Sequence, residues 1–182
     1  MCRSRSAQGF TLVELMLAVL LGCLLCGVAF QLLFAETRQG GSLAESLQLK
    51  QWQRRTLELV KGDLEHASSW RIDPDAFGTW PCALAGRQPK LAITPRDGSD
   101  LVLYSLGPAP SAIWRGSVLM RCGPAFDLQG QPSSHGAYLN RVVLDRVEAF
   151  RIEQDPQLPL LHLQLEQRGP GRDQLVRSSA VG

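Results

Sequence analysis

The chain has 182 residues, 19 of them basic and 17 acidic, for a formal net charge of +2. So even a balance carries no field that would draw the protein to nucleic acid or to an anionic membrane surface, and charge names no partner. With one hydrophobic segment near the N-terminus set apart, roughly 110 to 140 residues remain, enough for one domain with its own core.

The N-terminus reads Arg3 and Arg5, then Gly9, then an almost unbroken apolar run from Phe10 to Phe34. A helix rises about 1.5 Å per residue, so a run of about 25 residues spans a hydrocarbon core about 30 Å thick with some tilt. Arg3 and Arg5 precede any acidic residue, which by the positive-inside tendency keeps the short tail in the cytoplasm and exports the remainder. A secretory signal has an apolar core of only about 7 to 15 residues followed by a small-residue cleavage site, and this segment is too long for one. Leu20-Leu21-Gly22-Cys23 has the outline of a lipoprotein cleavage site. A bulky leucine beside the glycine fits poorly, and cleavage there would discard Glu14.

Glu14 is the anomaly of the segment, because a carboxylate inside a membrane helix costs about 3 kcal/mol on insertion scales and needs a partner. One reading is local: one turn after Phe10, it accepts from free amides at a helix N-terminus and favours the helix dipole. That reading explains tolerance but not the neighbouring residues.

Gly9-Phe10-Thr11-Leu12-Val13-Glu14-Leu15 closely resembles the processing and methylation motif of type IV prepilins and type II secretion pseudopilins. The likeness combines a short basic leader, glycine before the cut, phenylalanine after it, glutamate at the fifth mature position and a following apolar helix. It implies cleavage between Gly9 and Phe10 by prepilin peptidase and N-methylation of Phe10, with this chain as substrate and not enzyme. It also implies that Glu14 pairs with the N-terminal amine of a neighbouring subunit and so sets register during assembly. A buried charge without its partner is expensive, so such a pair specifies register even where its net stabilisation is small. The K-type pseudopilin characteristically lacks this glutamate, and Glu14 argues against a K-like role.

The membrane helix is interrupted by Gly22, Cys23, Cys26 and Gly27. The glycines permit close helix approach or local melting during assembly, and the sequence does not choose between them. Cys23-Leu24-Leu25-Cys26 has thioredoxin-like spacing without the surrounding strand and helix pattern, so the two read as buried thiols acting as small apolar side chains. Gly40-Gly41 follows and permits a bend, since each glycine costs a helix about 1 kcal/mol relative to alanine. Leu43, Leu47, Trp52, Leu57, Val60, Leu64 and Ala67 then recur at spacings of three to five and predict one apolar stripe packed on a sheet.

From Ile72 the helical period stops and short strand-like runs begin. Lys90–Thr94 and Asp100–Ser105 flank Asp97-Gly98 and predict a hairpin. Ser117–Arg121 predicts another strand, Arg141–Glu153 one long strand or two, and Leu160–Gln167 a strand with His162, Gln164 and Glu166 on one face. Gly169-Pro170-Gly171 turns the chain toward a last apolar stretch at Leu175-Val176. Val142–Asp155 followed by Leu160–Gln167 is also similar to the C-terminal sheet of J-type pseudopilins and W-type minor pilins. The expected fold is α+β and pilin-like: a long N-terminal spine helix packed on an antiparallel β-sheet head. Residues 1–9 form the leader, 10–35 the transmembrane half of the spine, 36–71 its amphipathic periplasmic half, and 72–182 the periplasmic head.

Cys82 and Cys122 both lie beside turn residues in the exported part. An oxidising compartment favours their pairing, and closing a loop of about 40 residues would contribute roughly 3 to 4 kcal/mol through unfolded-state entropy. His66, His135 and His162 are scattered, Ser134-His135 sits in a loop-like stretch from Gln129 to Gly136, and no hydrolase, zincin or Walker motif is present. No catalysis, cofactor or metal is assigned. The expected product is a single-pass bacterial inner-membrane precursor that becomes a minor pilin or pseudopilin and acts in initiation or tip assembly. Its partners are prepilin peptidase, other pilin subunits through the N-terminal helix, and the inner-membrane assembly platform. The alternative is a tip adhesin or DNA-capturing subunit, for which Arg87, Lys90 and Arg96 with Trp80 supply a basic, aromatic patch.

Overall fold

The computed structural model describes residues 11–96, 98, 101–126, 138–169 and 175–182, with the backbone alone for residues 32–43. The chain divides into two compact units, Met1–Ala44 and Glu45–Gly182. The fold is α+β: helix α1 (Leu12–Glu65) is followed by strands β1 (Ala67–Ile72), β2 (Gln88–Pro95), β3 (Val102–Pro108), β4 (Ser117–Pro124), β5 (Tyr138–Leu144), β6 (Val147–Gln154), β7 (Leu161–Arg168) and β8 (Leu175–Val181). The helical backbone runs on through Gly40-Gly41.

The helix stops earlier than the sequence predicts. Residues 67–71, expected at the end of the spine, belong to β1, which pairs antiparallel with β2. Ser68, Ser69 and Trp70 are poor helix continuers, and the chain gains a ladder by turning out of the helix at His66. His66, in its Nδ1–H form, donates to the Gly62 carbonyl at 2.8 Å and closes the last turn.

The single expected sheet is two antiparallel sheets, ordered β1-β2-β3-β4-β5 and β6-β7-β8. Arg141–Glu153 is two strands, and they go to different sheets. The break falls at Asp145-Arg146, where Arg146 takes a positive φ of 54° and its amide donates to the Arg115 carbonyl at 2.8 Å. The hairpin of β2 and β3 forms with Gly98 at φ 73°, the left-handed region that glycine enters without a Cβ penalty. Asp97 and Pro170-Gly171 of the expected turns, and the stretch from Gln129 to Gly136, lie outside the described residues. Strand β7 alternates as its sequence predicts, with Leu161, Leu163 and Leu165 buried and His162 and Gln164 exposed.

One core joins the C-terminal part of α1 to both sheets. Leu57, Val60 and Leu64 from the helix meet Leu91 and Ile93, Val102 and Tyr104, Leu119, Leu144, Phe150, and the three leucines of β7. The buried helical face is Leu49, Gln53, Thr56, Leu57, Val60 and Leu64, while Leu47 and Trp52, expected on it, are exposed. Spacings of four, three, one, three and four are regular helical periodicity, but two of the six residues are polar. Gln53 tolerates full burial because its amide donates to the Val176 carbonyl at 2.9 Å and its oxygen accepts from Ser178 at 2.6 Å.

Candidate functional site

In the N-terminal unit the site is the start of α1. Thr11 sits just before the helix, its Oγ1 accepts from the Glu14 amide at 3.4 Å, and the Glu14 carboxylate accepts from the Thr11 amide at 3.2 Å and its hydroxyl at 3.1 Å. Threonine followed three residues later by glutamate is the reciprocal capping pattern, which satisfies amides that a helix start leaves without partners. The local reading of Glu14 therefore has a defined geometry. Leu12–Gln31 is long and apolar enough to cross a membrane. Its side chains are exposed, Cys23 and Cys26 included. Nothing lies within 4 Å of a Cβ built on Gly22 or Gly27, so both positions leave room for close approach by another surface. Gly9 and Phe10, the expected cleavage and methylation residues, lie outside the described residues.

In the C-terminal unit the charged centre is one the sequence reading missed. Asp63 of α1 receives a side-on pair of bonds from Arg121 of β4, Nε to Oδ2 and Nη2 to Oδ1, each 2.8 Å, and a bond from the Tyr104 hydroxyl of β3 at 2.5 Å. The Asp63 and Arg121 side chains are both 6% exposed. Arg121 Nη1 donates to the Pro124 carbonyl at 3.2 Å and the guanidinium lies 4.6 Å from the Phe126 ring centroid. A Cβ on Gly123 would fall 2.8 Å from Arg121 Nη1, so a side chain there would push the guanidinium from its place. Burial, then the charge and hydrogen bond of Asp63, push the Tyr104 phenol well above its ordinary value, so it remains a donor. Burial opposes the Arg121 charge, but Asp63 outweighs it and holds the guanidinium above its ordinary value. The sequence signal was available in part. Asp63 lies three residues after Val60 on the buried face of α1, and Arg121 lies two after Leu119 on the core face of β4.

The expected basic, aromatic patch is not assembled. Arg87 is buried at 5% exposure, Lys90 pairs with Asp73 at 2.8 Å, and Arg96 donates to the Ala67 carbonyl at 2.7 Å. Trp80 instead lies under Arg71, 5.8 Å from ring centroid to guanidinium carbon. Cys82 and Cys122 are bonded, with Cα atoms 6.1 Å apart. Together with Trp80, Leu84, Leu101 and Tyr138 they form a second, smaller core over Ala92 and Leu103. His162 faces Asp155 at 3.5 Å, His66 bonds the Gly62 carbonyl, and His135 lies outside the described residues. Among the described residues no group of three or more His, Cys, Asp or Glu side chains converges as a metal site.

Residues 4–30 match a family model described as the Prokaryotic N-terminal methylation motif. No curated protein matches the chain, and no solved structure does. The match covers the helix start, its glutamate and the apolar segment, and with the pilin-like α+β fold it supports a precursor of the type IV pilin and pseudopilin kind. The motif implies processing by prepilin peptidase and assembly with other pilins.

Proposed function

We propose that this chain is a minor pilin or pseudopilin, cut between Gly9 and Phe10, N-methylated at Phe10, and incorporated into a type IV pilus or a type II secretion pseudopilus during initiation or tip assembly. The observation that carries the reading is the methylation motif over residues 4–30 with Glu14 in the first turn of a helix apolar enough to span a bilayer. Before cleavage the precursor is a single-pass inner-membrane protein, N-terminus cytoplasmic and C-terminal unit periplasmic. The assembly platform and neighbouring pilin helices are its partners, and the W- and J-like minor subunits are the class to which the likeness of Val142–Asp155 and Leu160–Gln167 points.

Glu14 then has two successive partners. In the precursor its carboxylate is held by Thr11. Cleavage places an α-ammonium on Phe10, and in the fibre the carboxylate pairs with the amine of an adjacent subunit, which makes vertical register a matter of charge neutralisation in a medium of low dielectric. The test is Glu14→Ala in the full chain, with processing followed by the mass of the mature N-terminus and incorporation by immunoblot of sheared fibres. The variant is expected to be cleaved normally and to be missing from the fibres. Normal incorporation would remove the register role, and an uncut wild-type chain would remove the reading altogether. A DNA-binding or adhesive tip role draws no support from the arginines first considered for it, since Arg87 is buried and Lys90 and Arg96 are engaged within the fold.

A further inference from the structure

Among the described residues of the C-terminal unit two arginines are buried, and they are treated differently. Arg121 has a carboxylate; Arg87 has none. The Arg87 Nη2 donates to the Ala83 carbonyl at 2.8 Å, its Nε is buried without an acceptor, and no carboxylate lies within ion-pair distance among the described residues. A buried guanidinium Nε without an acceptor is costly, and a guanidinium is matched in shape by a carboxylate, which accepts two parallel N–H bonds.

Arg87 lines a groove of about 750 Å³ on the sheet face that carries the disulfide, with Pro108, Trp114, Met120, Asn140 and Arg141 among its other walls. The volume falls within the range of ligand clefts, about 300–1,000 Å³. Among the described residues no Asp or Glu lines it, and Arg141 is exposed at its rim with no ion pair. Both charges of the groove are therefore positive, and what complements them is an anion. The remaining walls are largely apolar, with Trp114 partly exposed and Ile113 beside it strongly exposed. A bare inorganic anion would leave those walls wet, whereas a peptide carries apolar side chains on either side of its carboxylate. The backbone is built closely around the arginine. Gly107 adopts φ 156°, and a Cβ there would stand 2.8 Å from the Arg87 Cα.

We propose that this groove binds an acidic peptide segment of another protein, the Arg87 guanidinium taking a Glu or Asp carboxylate while Trp114 and the prolines hold the flanking apolar side chains. The site belongs to the C-terminal unit alone and stands independently of the N-terminal motif.

The test uses the full chain in detergent with the Cys82–Cys122 bond intact. The probe is a fluorescein-labelled, end-capped hexapeptide with one glutamate between two leucines, read by anisotropy, and the control is the same peptide with glutamine. The glutamate peptide is expected to bind at least about tenfold more tightly than the glutamine peptide, and Arg87→Met to abolish that difference. Trp114→Ala and Arg141→Ala, both at the rim, are expected to weaken binding severalfold without changing the melting temperature, and they decide the matter if Arg87→Met does not fold. Equal binding of the two peptides, or unchanged affinity in both rim variants, would overturn the proposal. Displacement of the peptide by inorganic phosphate at equal concentration would reduce the groove to a general anion site and overturn it as well.

Discussion

Replacing Asp63 by alanine removes the one carboxylate shared by Arg121 and Tyr104. The guanidinium, 6% exposed, keeps the Pro124 carbonyl and the Phe126 ring as its remaining partners among the described residues. Removing one partner of a buried ion pair costs about 3–5 kcal/mol, because the remaining charge is left uncompensated. A buried hydroxyl stripped of its acceptor adds about 1–3 kcal/mol, and the two losses overlap because they arise from the same group. A total near 4 kcal/mol is a large share of a domain stability of about 5–15 kcal/mol. For a unit of this size, each kcal/mol moves the melting temperature by about 3–4 °C, so the C-terminal unit should melt roughly 12–16 °C lower. Circular dichroism of the full chain in detergent, at fixed pH with the disulfide intact, reads this directly. The companion variant, Asp63→Leu with Arg121→Met and Tyr104→Phe, removes every charge and should recover most of the loss, since apolar replacement of a buried ionic cluster is often neutral or stabilising. If Asp63→Ala melts within about 3 °C of the parent, or the triple variant falls as far as the single one, the cluster is not the tie between helix and sheet that its geometry describes.

Tyr104 should resist ionisation. Its raised pKa means that the stability from its neutral hydroxyl is fully present below the ordinary phenol value near 10 and is lost as pH rises through the higher folded value. Ultraviolet titration should therefore find Tyr104 protonated at pH 10.5, and Tyr104→Phe should leave the spectral change at that pH unaltered. Asp155 behaves oppositely: the Gln157 and Leu158 amides hold its carboxyl below the ordinary range. Its contribution to the β6–β7 turn is present above the ordinary carboxylate value near 4 and lost as pH falls through the lower folded value. Amide exchange at Gln157 and Leu158 should accelerate in Asp155→Ala at pH 6, with the parent following only in stronger acid. Cys82→Ser with Cys122→Ser should lower stability by roughly 3 to 4 kcal/mol, measured as a shift in the urea midpoint, and an unchanged midpoint would mean that the bond adds nothing.

What the sequence disclosed depended on whether periodicity tracked hydrophobicity. The apolar run to Phe34, the Glu14 motif, the β2–β3 hairpin and the alternation of β7 all express their role in side-chain polarity, and all were legible. The buried face of α1 was only half legible, because Gln53 and Thr56 are polar residues whose burial depends on partners far along the chain, Val176 and Ser178 in the case of Gln53. The same holds for Asp63, Arg121 and Tyr104. Asp63 and Arg121 are ordinary surface residues by type, and only the approach of α1 to β3 and β4 gathers them with Tyr104 into one buried cluster. The parting of β5 from β6 was hidden for a different reason. A two-residue break at Asp145-Arg146 leaves the hydrophobic alternation on both sides intact, so the pattern fits one long strand as well as two.

The two faces of the five-stranded sheet are held by different chemistry, and the difference follows from what covers them. On one side α1 and the second sheet bury a continuous set of large aliphatic side chains, and burial at about 25 cal/mol per Å² suffices to hold the layers together. On the other side the segment between β1 and β2 packs over a small cluster of Ala92, Leu103 and Cys122, with Phe77, Pro81, Ala83 and Ala85 left exposed. That area is too small to fix a connection of such length, which is where a covalent tie at Cys82 has most effect. The tie also reaches the groove. Ala83, next to the bonded cysteine, offers its carbonyl to both Arg87 and Asn140, so the bond that anchors the segment also positions the buried guanidinium. Reduction should consequently loosen the Arg87 side of the sheet while the Asp63 cluster, on the face held by burial and its own ion pair, stays in place.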